Sequence, residues 1–294
     1  MKKQFTVYGN CQSTILAACL QQVKSFSDNY KYIRLPFCHR ISSDEYKKAA
    51  SMMADLNLFI YQPVSSAFRG GGFDSQTLSD LAPNSLGIPS LQFYGYFPSL
   101  TRFRLPSKLS VEKNNLINNI LMPFPTLNRD SLYHYNEIRM MVLENLPTSV
   151  ICDRFDFGSS QEFQLERCLG WTIKHLVSKE TEFDLIPISD FFENNWQNKL
   201  LFYTPRHPTG FVMAELVRRI CNKLNLPIYD DELQKIIKKD HFSHIKLYIP
   251  FWIRKNYLSN IPELNDETFY SLSAVDTVSL YTNLYRLLPE VCHE

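Results

Sequence analysis

Apolar and polar positions follow two regimes along this chain. Over the first hundred residues, short apolar runs alternate with amphipathic stretches. Gln4 to Tyr8 reads as a buried strand that runs straight into Gly9, Asn10, Cys11 and Gln12. An apolar-periodic stretch from Ile15 to Val23 follows at once, so the opening is strand, tight turn and helix. Tyr32 to Leu35 reads as a second strand. Ser42 and Glu45 have the spacing of a capping box, ahead of a helix that reaches about Ala54. Leu56 to Tyr61 is a third strand. Its continuous run Leu58, Phe59, Ile60 suits a strand covered on both faces, and Gln62-Pro63 ends it, because proline has no N–H for a ladder. Leu86 to Phe93 reads as a fourth strand, which Pro89 breaks or places at an edge.

Beyond about Val111 the period is that of helices. The spacing predicts helices over Val111 to Asn119, Asp130 to Glu144, Gln161 to Lys179 and Thr209 to Leu224. One late strand, Lys199 to Tyr203, ends in Thr204-Pro205-Arg206-His207-Pro208, with Pro208 near a favoured helix start. Strands alternating with helices argue for a parallel sheet. The expected fold is therefore α/β and helix-rich, with a short, mostly parallel sheet and a helical C-terminal part. The expected division is an α/β domain over 1–227 and a helical extension over 228–294 packed on it.

Composition narrows the function. The 294 residues carry a formal net charge of +1, which gives no pull toward nucleic acid. Seven cysteines are scattered without close pairs, so neither a zinc site nor a disulfide framework is expected, and the setting reads as a reducing cytoplasm. The start Met1-Lys2-Lys3 resembles a signal peptide, but Asn10, Gln12, Gln21 and Gln22 interrupt the apolar stretch after it. No apolar run is long enough to cross a membrane.

Chemistry gathers at the strand ends, where open α/β folds bind ligands. Cys11 stands at a helix start, where unpaired N–H groups and the helix dipole favour a thiolate. Gly9 allows a sharp turn or a close approach, Asn10 offers an amide to an oxyanion, and Gln12 completes the turn. Plain turn chemistry also accounts for these residues. A thiol nucleophile calls for a base, and His207 and His134 have the best placed sequence contexts. Gln62 and Ser65 lie in a second strand-end turn, followed by Arg69 and Gly70-Gly71-Gly72, which suit a phosphate or form a surface loop. Asp190 could orient a base or cap a helix. Aromatic residues around Gly95, namely Tyr94 and Tyr96, suit a pocket or a core. Lys235 to Tyr257 interleaves basic and aromatic residues, as a membrane- or glycan-docking segment or as a solvated face over a core.

Taken together, Gly9-Asn10-Cys11-Gln12, Gln62-Pro63, Phe93-Tyr94-Gly95-Tyr96-Phe97-Pro98, Ile188-Ser189-Asp190-Phe191 and His207-Pro208-Thr209 resemble the WcbI-type polysaccharide biosynthesis acetyltransferases, in the same order, over roughly Lys3 to Pro227. The Gly-Asn-Cys turn also resembles the serine turn of SGNH hydrolases, which implies an SGNH- or flavodoxin-like sheet. The resemblance implies a bacterial acyltransferase that uses acetyl-CoA as co-substrate, holds no permanent cofactor or metal, and acetylates a carbohydrate acceptor. It implies Cys11, His207 and His134 as catalytic candidates and Gly9, Asn10 and Gln12 as oxyanion or positioning residues. Gln62, Ser65, Arg69, Tyr94, Gly95 and Tyr96 are the candidates for coenzyme A. Such a protein is expected in the cytoplasm, with peripheral contact to the inner membrane or the polysaccharide assembly machinery. A carbohydrate esterase and a non-catalytic glycan- or coenzyme A-binding protein are the alternatives. Family members commonly carry a histidine where this chain has Phe97.

Overall fold

The computed structural model describes residues 2–102, 109–122, 133–158 and 162–288. In chain order the elements begin β1 (Lys3–Tyr8), α1 (Gln12–Leu20), α2 (Lys24–Asn29), β2 (Tyr30–Tyr32), α3 (Ser43–Met52), β3 (Leu58–Tyr61), α4 (Ser75–Leu81) and β4 (Ser85–Gly87). They continue with β5 (Leu100–Arg102), α5 (Val111–Leu121), β6 (Tyr133–Tyr135), α6 (Asn136–Leu143), α7 (Thr148–Phe157), α8 (Glu162–Glu182) and α9 (Ser189–Asn195). The last are β7 (Phe202–Thr204), β8 (His207–Pro208), α10 (Gly210–Lys223), α11 (Asp230–Lys239), α12 (Phe251–Tyr257) and α13 (Ala274–Leu287). This is a helix-rich α/β fold with a four-stranded parallel sheet and a helical C-terminal part. The chain forms two compact units. The first holds Met1–Gln92, Thr172–Trp196 and Arg206–Phe242, and the second holds Phe93–Trp171, Gln197–Pro205 and Ser243–Glu294.

The first unit is built on the parallel sheet, in the order β2-β1-β3-β4. Its central strands, β1 and β3, pair Phe5 with Leu58 and Tyr8 with Tyr61, so both end at the same level. Alternation sorts their side chains to two faces. Tyr8 and Phe59 join a core with Tyr46, Ala49 and Leu78 from α3 and α4. Helix α10 packs against α1 and α11. It buries Val212, Met213, Leu216, Val217 and Ile220, the stripe expected of an amphipathic helix. The Ser42–Glu45 capping box forms as the sequence predicts, with Ser42 Oγ accepting the Glu45 N–H.

In the second unit, β5 and β6 pair antiparallel, Leu100 opposite Tyr135. Helix α13 lies against α5, α6 and α7, and buried Tyr135, Ile138, Ile151, Phe155 and Leu284 fill the space. Tyr135 Oη donates to the Tyr248 carbonyl at 2.5 Å.

Beyond shifts of up to three residues in β2 and β7, three parts of the chain differ from the sequence reading. The fourth strand stops at Gly87 instead of reaching Phe93, because Pro89 interrupts the ladder and the following residues turn inward to serve other loops. Tyr133–Tyr135 is a strand and the helix after it begins at Asn136, so His134 lies in a strand and not in the helix predicted from Asp130. Residues 130–132 of that predicted helix lie outside the described residues. The basic-aromatic stretch is split. Exposed Lys235, Lys238 and Lys239 belong to the first unit, whereas Tyr248, Trp252 and Arg254 are buried in the second. There Arg254 donates to Tyr248 Oη at 2.7 Å and to the Leu264 carbonyl at 2.8 Å, and Tyr248 Oη donates to Asp156 at 2.9 Å. Among the described residues, no helix is long and apolar enough to cross a membrane.

Candidate functional site

The site is assembled where β1 ends. Gly9 has no Cβ because one would overlap the Gln62 side-chain amide. Its backbone is not in the left-handed region, so crowding alone explains glycine here. Through that gap Gln62 Oε1 accepts the Asn10 N–H at 2.9 Å. Gln62 Nε2 donates to Gln12 Oε1 at 3.0 Å and toward the Pro89 carbonyl at 3.4 Å. Gln12 Oε1 also accepts the Leu91 N–H at 3.0 Å, and Gln12 Nε2 donates to the carbonyls of Leu91 at 2.8 Å and Arg206 at 2.9 Å. Two buried amides thus tie together the loops after β1, β3 and β4 and the segment entering β8. Every donor and acceptor of the Gln12 side chain is occupied, which suits burial.

Asn10 does the work of a helix cap. Its Oδ1 accepts the Gln12 N–H at 2.8 Å, its carbonyl accepts from Ser13 N at 3.0 Å and Ser13 Oγ at 2.7 Å, and its Nδ2 donates to Ser90 Oγ at 3.0 Å. With the turn held by these bonds, Cys11 at the start of α1 is free to present its side chain, and it is exposed.

The field at the sulfur differs from the sequence expectation. The Cys11 thiol is pushed above its ordinary range, because neighbouring groups shield it from water more than the charges around it compensate. Its own N–H, Arg206, the Gln12 N–H and Arg40 act in the opposite direction. Donors and cations do converge on the sulfur, as a helix start requires, but desolvation outweighs them. The sequence reading passed over Arg206 and Arg40. Arg206 directly precedes His207 in the same polar turn, and that adjacency was the available signal.

A second thiol adjoins the turn. Cys38 N–H donates to the Gly9 carbonyl at 2.8 Å, and the Cys38 side chain is buried beside Tyr8 and Tyr46. Arg69 braces this stretch by donating to the carbonyls of Ile41 at 2.6 Å and Cys38 at 3.4 Å, with its guanidinium 4.4 Å from the Phe73 ring centroid. Gly70, Gly71 and Gly72 all take positive φ, so this run needs glycine for its path. Ser65 is exposed, and its Oγ accepts the Ala67 N–H at 3.2 Å.

The remaining candidates have other neighbours. His207 lies in β8, and its ring stacks on Phe242 with centroids 5.0 Å apart. Asp190, in the first turn of α9, forms a two-pronged pair with Arg219 at 2.6 and 2.8 Å, which holds its carboxyl below the usual range. The cap position is Ile188, so the expected capping role goes unfilled. A cavity of about 590 Å³ opens beside this pair, lined by Tyr61, Gly87, Leu185, Asp190, Arg219 and Lys223 among others. In the second unit, Tyr96 is fully buried, and its hydroxyl donates to the Lys199 carbonyl at 3.0 Å and accepts the Leu201 N–H at 3.3 Å. Gly95 seats against the Phe93 ring and Leu169, Tyr94 meets Trp171 edge-on at 6.2 Å, and Phe97 is buried. The His134 backbone pairs with Thr101, and its side chain lies outside the described parts. Among the described residues, no cluster of histidine, cysteine and carboxylate side chains is arranged to hold a metal ion.

Comparison with known proteins adds three findings. The family model for the polysaccharide biosynthesis enzyme WcbI matches residues 4–228. A solved structure of WcbI, described as the native protein without a disulfide bond between coenzyme A and one of its cysteines, superposes with a TM-score of 0.70 at 19% identity, covering 100% of this chain and 99% of that one. No curated protein matches by sequence.

Proposed function

Because the chain belongs to the family of the polysaccharide biosynthesis enzyme WcbI, we propose that it is a coenzyme A-dependent O-acetyltransferase acting on a sugar hydroxyl of a bacterial capsular or surface polysaccharide. The observation that carries this reading is the exposed Cys11 sulfur at the end of a parallel strand, with two backbone N–H groups and the cations Arg206 and Arg40 acting on it. The WcbI structure supports the ligand, since its description speaks of a disulfide between coenzyme A and a cysteine of that protein.

The chemistry follows from the turn. The acceptor hydroxyl attacks the thioester carbonyl, a carbon–oxygen bond replaces the carbon–sulfur bond, and the hydroxyl proton passes to the departing thiolate. The Cys11 N–H is the proposed oxyanion donor, because the Gln12 N–H is already held by Asn10. Arg206 and Arg40 favour negative charge on the leaving sulfur. His207, in the same unit as Cys11, is the candidate base. In the covalent alternative, Cys11 first takes the acetyl group and then yields it to the sugar. A thiol pushed upward favours direct attack, with Cys11 lining the thioester site.

The pantetheine arm holds the phosphates of coenzyme A well away from its sulfur. Cations farther from Cys11 therefore serve them better than Arg40 and Arg206. Arg69 beside its three glycines and Lys223 at the cavity are the two candidates.

A non-catalytic coenzyme A-binding protein is the second reading, favoured by the same upward shift of the thiol. Titration calorimetry with coenzyme A and acetyl-CoA, followed by thiol-release assays with acceptor sugars, tests both. Binding with acetyl transfer supports the enzyme, binding without transfer supports the binder, and absence of binding removes both.

A further inference from the structure

Cys38 is used by no step above, yet it is fixed beside the reactive turn. The Cys38 N–H to Gly9 carbonyl bond, at 2.8 Å, places its backbone two residues from Cys11 across a single hydrogen bond. Arg69 holds the carbonyl of the same residue. The two thiols also feel each other. Negative charge on Cys11 raises the Cys38 thiol, so the two sulfurs lie within reach of each other's field. Cys11 is exposed and flanked by cations, whereas Cys38 is 7% exposed and packed in the core beside Tyr8. An accessible first thiol backed by a shielded second one is the arrangement of an attacking and a resolving cysteine.

We propose that Cys38 resolves disulfides formed on Cys11, converting a mixed disulfide with an oxidised low-molecular-weight thiol into an internal Cys11–Cys38 disulfide that switches the site off. With the disulfide of coenzyme A as oxidant, the electrons balance. Cys11 Sγ attacks one sulfur of that disulfide, a new sulfur–sulfur bond forms, and one coenzyme A thiolate leaves. Cys38 Sγ then attacks Cys11 Sγ, and the second coenzyme A thiolate leaves. The oxidant gains two electrons, the protein dithiol loses two, and the two thiol protons end on the two released thiols. The bridge requires Cα atoms within about 4.4–6.8 Å, so closing it moves the start of α1 toward residue 38, which the Cys38–Gly9 hydrogen bond already holds beside the turn. Reduction restores Cys11.

This coenzyme A route rests on the ligand reading above, whereas oxidation by diamide does not, so the two arms separate the failures. Reduced protein is treated with coenzyme A disulfide or with diamide, and its thiols are mapped by peptide mass spectrometry. The wild type should end with a Cys11–Cys38 peptide in both arms, releasing two coenzyme A thiols per chain in the coenzyme A disulfide arm and reducing one diamide per chain in the other. The Cys38→Ser variant should release one and keep one coenzyme A on Cys11. The Cys11→Ser variant should leave Cys38 unmodified. A Cys11–Cys38 link with diamide alone upholds the thiol pair and overturns the coenzyme A route. A wild type that stops at the coenzyme A adduct, or pairs Cys11 with another cysteine, overturns the proposal. The wild-type map needs no variant, so poor folding of Cys38→Ser would not blunt the test.

Discussion

Gln12 and Gln62 share one amide–amide hydrogen bond of 3.0 Å, and through it the end of β1 is locked to the end of β3. Neither side chain is more than 3% exposed. The pair sets the turn that carries Cys11, because Gln62 holds the Asn10 N–H and Gln12 holds the loops at Leu91 and Arg206. Replacing Gln12 by Ala strands the Leu91 N–H and two carbonyls. A buried group left without a partner costs about 1–3 kcal/mol, so urea denaturation should show a loss of at least that order for Gln12→Ala. Loss of ligand binding should accompany it.

Gly9 and Gln62 compete for the same space. Gly9→Ala should destabilise the protein by about 1–3 kcal/mol, the usual cost of overpacking. In a Gln62→Ala background the added methyl has room. A double-mutant cycle should therefore show Gly9→Ala to be much less harmful there, with a coupling of about 0.5–3 kcal/mol. Equal effects in both backgrounds would contradict the crowding account.

Desolvation raises the Cys11 thiol, and nearby cations oppose it. Its alkylation rate should climb with a midpoint above the ordinary thiol value of 9. Removing a cation takes away stabilisation of the thiolate, so Arg206→Gln and Arg40→Gln should each move that midpoint further up. A downward movement in either variant would show that these side chains do not act on the sulfur.

Cys19 and Cys221 are buried, and burial pushes both thiols up to about 12. In the unfolded chain they ionise near 9, so above that pH the unfolded state loses protons that the folded state keeps. Stability is thus intact below about 9 and falls as pH rises toward 12, by up to about 1.4 kcal/mol per pH unit for each thiol. Urea midpoints measured from pH 8 to pH 11 should fall, and replacing either cysteine by Ala should flatten the decline.

Lys223 and Arg69 are offered to the phosphates of coenzyme A. Lys223→Ala should weaken coenzyme A several-fold in titration calorimetry while leaving pantetheine binding unchanged, because only the former carries phosphates. Arg69→Ala should also lower stability, since its guanidinium braces the carbonyls of Cys38 and Ile41. Equal losses for both ligands in Lys223→Ala would remove it from the phosphate site.

Much of the fold was legible because short-range chemistry decided it. The run from Gln4 into Gly9-Asn10-Cys11 and the Ser42–Glu45 box carry their signals within a few residues, and both form. The fourth strand was overextended because apolar residues after Pro89 read as strand, although Leu91 serves the Gln12 side chain instead. The turn at the end of β1 was legible in its position and less so in its partners. Gln12 and Gln62 stood out as strand-end residues, but their mutual bond spans fifty residues, and no local pattern encodes that. Arg206, Arg40 and Cys38 reach the turn only through the folded chain. The direction of the Cys11 shift depends on how much protein surrounds the sulfur, which spacing in a sequence does not express.

The most direct test follows alkylation of Cys11 in reduced protein, peptide by peptide, as coenzyme A is added. Saturable protection of Cys11, with the half-exposed Cys152 labelling at an unchanged rate, is the result expected if this thiol meets the reactive end of the ligand. Coenzyme A that binds by calorimetry yet leaves Cys11 labelling at its original rate would contradict the account.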